Sequence, residues 1–323
     1  MKYLKLFEGF GKGLEEMNVE ELVKYGYKRG WFNHGTCHIN FDDSVDVNGN
    51  VYMSDNYLEY IPINFDTVTG DFNIRFNKLT SLKGCPREVG RNFNCNNNET
   101  LKTLDNLPIR VGGIINFENC GLISTKGLNN VVCDEFELSK NNISDLTGCP
   151  KHTNRLILSD NNITSLQGVS LTTSILSVAN NPLQSFKGSK IVIEDRNGYS
   201  NKIILDNVKL KNTIDLPSSM DYISLVESEF PMVLRRALMV NIKLNKIIEL
   251  QDYYNIWKSD DSINVPRFDM LIKEIGKDCQ CGGTEIIECE ECGGDDDECP
   301  ECNGSGETTC PDSGTYYDEE DYG

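Results

Sequence analysis

The 323-residue sequence predicts an α/β solenoid, in which short coils stack around one core and contribute one strand each to a parallel sheet. Three observations carry this expectation. A unit of 20–22 residues recurs from Val51 to about Gly188, led by the apolar residues Val51, Phe72, Phe93, Ile115, Phe136, Leu156 and Leu176. A second small or apolar residue follows two positions later (Met53, Ile74, Cys95, Phe117, Leu138, Leu158, Val178), which is the alternation of a strand with one buried face. Five positions after each lead stands Asn56, Asn77, Asn98, Cys120, Asn141, Asn161 or Asn181.

Each part of the unit has a physical reason. A coil of this size cannot bury its apolar side alone, so neighbours must stack on it. A short polar side chain at the bend satisfies backbone groups left unpaired there, and stacked Asn side chains would do so as a ladder. Two positions beyond it Leu58, Leu79, Leu122, Ile143, Ile163 and Leu183 return to the core, Leu101 serving in the Phe93 unit after one inserted residue. Gly84, Gly127, Gly148, Gly168 and Gly188 close most units, where a backbone conformation strained for other residues is expected. The competing reading is an ordinary β-sandwich with coincidental spacing.

The flanks divide the chain into five parts. Residues 1–40 are expected to form an N-terminal helical cap: Asn18 and Glu21 have capping-box spacing, and Val19, Leu22 and Tyr25 continue a helix that ends near Gly30. The solenoid occupies 41–225, with Phe41 to Val47 as an opening coil and residues 202–205 and 208–216 as degenerate closing coils. Residues 226–277 are expected to be helical. Pro231 opens a stretch with Val233, Leu234, Ala237, Leu238, Val240, Leu244, Ile247 and Ile248 at helical spacing, and Pro266 opens another through Met270, Leu271, Ile272 and Ile275. Ser259 to Asn264 joins them as a loop. Arg235, Arg236, Lys243 and Lys246 make the one notable basic patch, read as the solvated face of a capping helix or as a contact for an acidic partner or the chain's own tail. Residues 278–312 form a cysteine-rich module, and 313–323 an acidic tail.

Charge is concentrated at the end. The net charge is −19, yet residues 278–323 hold 16 of the 50 acidic residues and none of the 31 basic ones, so residues 1–277 carry only −3. Such a tail is a poor ligand for phosphate backbones, which bind through Lys and Arg. No run of about 18 apolar residues is present, and the first residues lack the apolar core of a signal peptide, so a soluble, intracellular protein is expected. Seven of the 13 cysteines share the tail: Cys279, Cys281, Cys289, Cys292, Cys299, Cys302 and Cys310. Clustered C-x-x-C pairs in a reducing compartment point to metal before disulfides, and four thiolates from two Gly-flanked knuckles suit zinc. An Fe–S cluster and disulfides are the lesser alternatives. Having little to bury, the segment would take its folding energy from the metal.

Two resemblances follow from these residues. The pattern φ-x-φ-x-x-N-x-φ resembles the leucine-rich repeat, whose Asn place also tolerates Cys, as at Cys120; phrases such as NKLTSLKG and NNITSLQG are similar to irregular repeats of bacterial and large-phage proteins. That implies a leucine-rich-repeat superhelix with a parallel sheet that contacts a protein partner, and residues 51–188 carry it. CPECNGSG at 299–306 matches, and CEECGG at 289–294 nearly matches, the C-x-x-C-x-G-x-G zinc region of DnaJ-type chaperones. By that resemblance Cys289, Cys292, Cys299 and Cys302 hold one zinc in a small β-hairpin module. The outer site retains only Cys279, Cys281 and Cys310, with Ser313 in the fourth place; either Asp312 or water completes it, or the site is weakened or empty. No histidine lies in the tail, which disfavours RING-type ligation.

No Walker A, dinucleotide, H-E-x-x-H or G-x-S-x-G motif is present, nor the HPD tripeptide of a J domain. His34, Cys37 and His38 cluster in what reads as an N-terminal loop, as local packing or as a metal or Cys/His site. Cys85, Cys95, Cys120, Cys133 and Cys149 fall at repeat positions and read as small core residues. The expected function is non-enzymatic protein–protein interaction, without nucleic acid or membrane as partner. The expected contact residues are the outward strand positions Asn73, Arg75, Asn94, Asn116, Glu118, Glu137, Ser139, Ile157, Ser159 and Ser177. The alternatives are a chaperone-like adaptor using the zinc region and a Cys-dependent effector enzyme.

Overall fold

The first helix follows from its caps. Asn18 Oδ1 accepts the Glu21 amide at 2.9 Å while Glu21 Oε2 accepts the Asn18 amide at 3.1 Å, and the helix Val19–Arg29 runs to Gly30 in the left-handed region. This is a computed structural model describing residues 13–195, 198, 201–231, 234 and 244–277. The described chain divides into two units: residues up to Lys209 with Ser219–Ser228, and Leu210–Ser218 with the residues from Glu229.

After the helix the chain departs from expectation. Phe32–Ile39, read as loop from sequence, is a strand antiparallel to Val45–Tyr52, with Cys37 opposite Val47 and His38 opposite Asp46. It pairs the outer edge of the first coil, where an open row of N–H and C=O groups would otherwise invite another strand. Phe41 sits at the exposed turn between the two strands, not in a coil of its own.

The repeat then forms as its period requires. Val51, Phe72, Phe93, Ile115, Phe136, Leu156, Leu176, Ile203 and Ile223 stand in parallel register, one per strand, giving about eight turns of a parallel β-solenoid. The first eight of these leads are buried, and the Phe72 and Phe93 rings stack at 5.7 Å. The step from Leu176 to Ile203 is longer than the rest, and the final strand is Tyr222–Ser224, beyond the 208–216 segment expected to close the stack.

On the other side of the coils, where the α/β expectation leaves room for helices, parallel pairing recurs in two separate stretches. Val47, Val68, Val89 and Val111 align in the first, which ends in a bridge at Arg110–Val132; the second is a two-stranded sheet in which Thr173 pairs with Ile193, preceded by a bridge at His152–Thr172. The first half of Val45–Tyr52 starts the first stretch and the second half starts the lead-strand ladder. β-Branched Val, Thr and Ile at these positions favour extended backbone. Two buried threonine hydroxyls there are satisfied: Thr153 Oγ1 donates to Asp134 O at 2.7 Å and Thr173 Oγ1 to Asn154 O at 3.1 Å. Between Val45 and Ser224 the only helical segment among the described residues is the single turn Leu128–Asn130.

The second unit has its own core of Leu234, Ile247, Ile256, Phe268 and Leu271 around the helices Leu244–Tyr254 and Val265–Lys277. Buried Gln251 organises its polar interior. Its Oε1 accepts Thr213 Oγ1 at 2.7 Å and Trp257 Nε1 at 2.8 Å, while Nε2 donates to Thr213 O at 3.0 Å. Arg235, Arg236 and Lys243 lie outside the described residues; Lys246 pairs with Glu249 at 3.2 Å. No helix among the described residues is long and apolar enough to cross a membrane.

Candidate interaction surface

Three repeated devices shape the bend that follows each lead strand. The residue four positions after every lead is left-handed: Asp55, Phe76, Asn97, Asn119, Lys140, Asp160, Asn180, Asn207 and Glu227 all have φ between 51° and 60°. Asn and Asp adopt that conformation most readily; Phe76 and Lys140 occupy it at a cost. Next comes the expected Asn ladder. Asn77 Oδ1 accepts the amides of Asn56 and Leu58 in the preceding coil, and its Nδ2 donates to Met53 O and Ile74 O, each at 2.9 Å. Asn98, Asn141, Asn161 and Asn181 repeat the arrangement, each bridging its own coil to the one before. Asn56 has no earlier coil to bridge and instead accepts from Arg29 at 3.1 Å. Four positions beyond the ladder a Ser or Asp accepts the amide two residues on, as in Ser81–Lys83 at 3.0 Å and Asp145–Thr147 at 2.8 Å, before the closing glycine. This last column escaped the sequence reading, though Ser81, Ser124, Ser165 and Ser185 recur in register.

Cys120 takes the Asn place for a local reason. The coil before it has one extra residue, and its bend is self-bonded through Leu101 N to Asn98 O at 2.9 Å. Cys120 Sγ donates to Cys95 O at 3.1 Å, filling the core side of the place.

The strand face beside these bends holds the expected contact residues, unevenly exposed. Arg75 is exposed, and Asn94, Asn116, Glu118, Glu137 and Ser159 are half-buried. Asn73, Ser139, Ile157 and Ser177 are buried, at 7%, 9%, 8% and 3% exposure. Neighbouring strands stand about 4.8 Å apart, so side chains one coil away cover them. Several are spent on the face itself: Asn73 and Asn116 accept the amides of Arg75 and Glu118, Ser139 bonds Glu137, and Ser159 bonds Ser177 at 2.7 Å. The charges of the middle coils pair across the stack, Lys140 with Glu118 at 2.8 Å and Arg155 with Glu135 at 3.7 Å. The Glu118 carboxylate accordingly holds the Lys140 ammonium pKa above its usual value.

Cys37 and His38 do not assemble into a nucleophilic dyad. Cys37 and His38 are consecutive in a strand, so their side chains leave opposite faces. The Cys37 amide donates to Tyr27 Oη at 2.9 Å, and burial raises the thiol pKa against the opposing effect of the Tyr27 hydroxyl. Burial likewise drives the thiols of Cys85, Cys95, Cys133 and Cys149 upward, but only Cys95 and Cys120 lie in the core by exposure, Cys85, Cys133 and Cys149 being half-buried. Among the described residues no group of His, Cys, Asp or Glu is placed to hold a metal. The seven tail cysteines, Cys279, Cys281, Cys289, Cys292, Cys299, Cys302 and Cys310, lie outside the described residues. No family model matches the chain, and no curated protein matches it.

Proposed function

We propose that the chain is a non-enzymatic interaction protein of leucine-rich-repeat type, whose solenoid binds a protein partner and whose cysteine-rich end folds around zinc. The observation that carries the reading is the register of the lead strands, which supports one continuous face with Arg75, Asn94, Asn116, Glu118, Glu137 and Ser159 reaching solvent. Rigid presentation of side chains from a stacked sheet lowers the entropy lost on binding. Affinity capture from a cell lysate, with proteins identified by mass spectrometry, tests it. Wild-type chain should retain a partner that the triple variant Asn116→Arg/Glu118→Arg/Glu137→Arg loses while its urea unfolding midpoint stays high. Equal capture by both chains overturns the assignment to this face.

The zinc component rests on the donor set, since Cys289, Cys292, Cys299 and Cys302 offer the four thiolates of a closed structural site. Elemental analysis of the purified chain should find zinc, reduced by Cys299→Ser. A metal-free chain purified under reducing conditions with zinc present counts against it. The CPECNGSG motif also favours a second reading, a chaperone-like adaptor, which predicts that the chain suppresses aggregation of a denatured client and loses this on tail truncation.

A further inference from the structure

The first two coils differ from the rest of the solenoid at their bends. Tyr57 and Phe76 are both left-handed, with φ of 55° and 54°, and are 70% and 51% exposed. A bulky residue at positive φ is an outlier, and strain of this kind persists where the side chain's position is itself useful. In the later coils the equivalent of Phe76 is always polar or charged. Each ring lies beside a cation: Arg75 is 5.7 Å from the Phe76 centroid and Lys78 is 5.9 Å from that of Tyr57. Lys140 and Arg155 of later coils pair with carboxylates, but no carboxylate of the described residues lies in ion-pair distance of Arg75 or Lys78. From Phe72 to Gly84 the second coil carries Arg75, Lys78 and Lys83 and no acidic residue. Asp55 and Glu59 border this region on the first-coil side.

We infer that Tyr57, Phe76, Arg75 and Lys78 form a docking patch for an acidic protein segment bearing aromatic side chains. This rests on the proposed interaction role and assigns it a partner chemistry. Exposed rings beside a guanidinium are the residue types that dominate binding energy at protein interfaces. The rings take the partner's aromatic side chains, and the unpaired cations take its carboxylates. The net negative charge of the chain does not prevent this, because exposed charges more than about 8 Å apart are largely screened at physiological ionic strength.

The test uses the full chain and defined polymers: fluorescein-labelled random Glu/Tyr copolymer, poly-glutamate, and uncharged random Gln/Tyr copolymer, followed by fluorescence anisotropy. The Glu/Tyr copolymer should bind tightest. Tyr57→Asn/Phe76→Asn should weaken it about tenfold or more without loss of thermal stability, since Asn tolerates left-handed backbone and is used at the Phe76 place in other coils. Arg75→Gln/Lys78→Gln should also weaken it and abolish its advantage over the Gln/Tyr copolymer. Unchanged affinity in either double variant, or equal binding of the two Tyr copolymers by wild type, overturns the patch. A cellular partner lost with the Asn116/Glu118/Glu137 variant but indifferent to Tyr57 and Phe76 would sink this inference alone and leave the broader role standing.

Discussion

Asn141 Oδ1 accepts two amides of the preceding coil, those of Cys120 at 3.0 Å and Leu122 at 2.9 Å. One side chain therefore secures the bend of a coil whose own ladder position is a cysteine. Its Nδ2 donates to Phe117 O, Leu138 O and Ser139 O at 2.9–3.1 Å, so the amide group is fully engaged in a buried site.

Removing that amide strands three buried backbone groups, Cys120 N, Leu122 N and Phe117 O, while Leu138 O keeps Asn161 Nδ2 and Ser139 O keeps the Asn119 amide. Asn141→Ala should cost about 2–4 kcal/mol, because each unsatisfied buried group forfeits its desolvation compensation. The neighbouring exposed Asn142→Ala should stay within about 0.5 kcal/mol. Urea unfolding of both variants checks this, and a loss at Asn141 no larger than at Asn142 would show that the ladder is not what holds the coils in register.

The closing glycines separate strain from steric conflict. Gly168 has φ of 81° with open space where a Cβ would stand, whereas a Cβ on Gly148 (φ 83°) would lie 2.9 Å from Lys126 Cα. Gly168→Ala should cost about 1 kcal/mol from left-handed strain alone. Gly148→Ala should cost distinctly more, since the preceding coil must also shift. Matched thermal melts decide it; equal losses would mean that the stack relaxes freely at this corner.

Cys149 contributes to the alkaline sensitivity of the solenoid. Burial pushes its thiol up to about 12 from an ordinary value near 9. The unfolded chain therefore releases this proton first as pH rises. Stability due to Cys149 is complete below pH 9 and declines from there through about 12. Unfolding free energy measured from pH 8 to 10.5 should fall less steeply in Cys149→Ala than in wild type. Identical slopes would refute the burial of the thiol.

In the second unit, Gln251→Leu should cost about 2–3 kcal/mol by leaving the Trp257 indole N–H and the Thr213 hydroxyl without their acceptor. Denaturant titration read by tryptophan fluorescence measures it. A near-neutral effect would show that water replaces the amide.

The sequence alone determined the lead strands, the Asn ladder and the closing glycines. Each is a residue type forced at a fixed interval, so seven copies state the rule even where Cys120 breaks it. The capping box at Asn18 and Glu21 was legible for the same reason, being a local bond between near neighbours. Tertiary structure decided what depends on stacking. The parallel pairing on the other side of the coils uses Val, Thr and Ile interchangeably, since that side asks only for a compact side chain in extended backbone, and no single residue type marks it. The strand Phe32–Ile39 takes its form from the edge it covers, which nothing within those eight residues encodes. Exposure on the strand face was equally out of reach. Asn73 and Ser177 point outward by alternation yet are buried by side chains about 20 residues away in sequence and one strand spacing away in space. Period fixes which way a side chain points; only the neighbouring coil fixes whether it meets solvent.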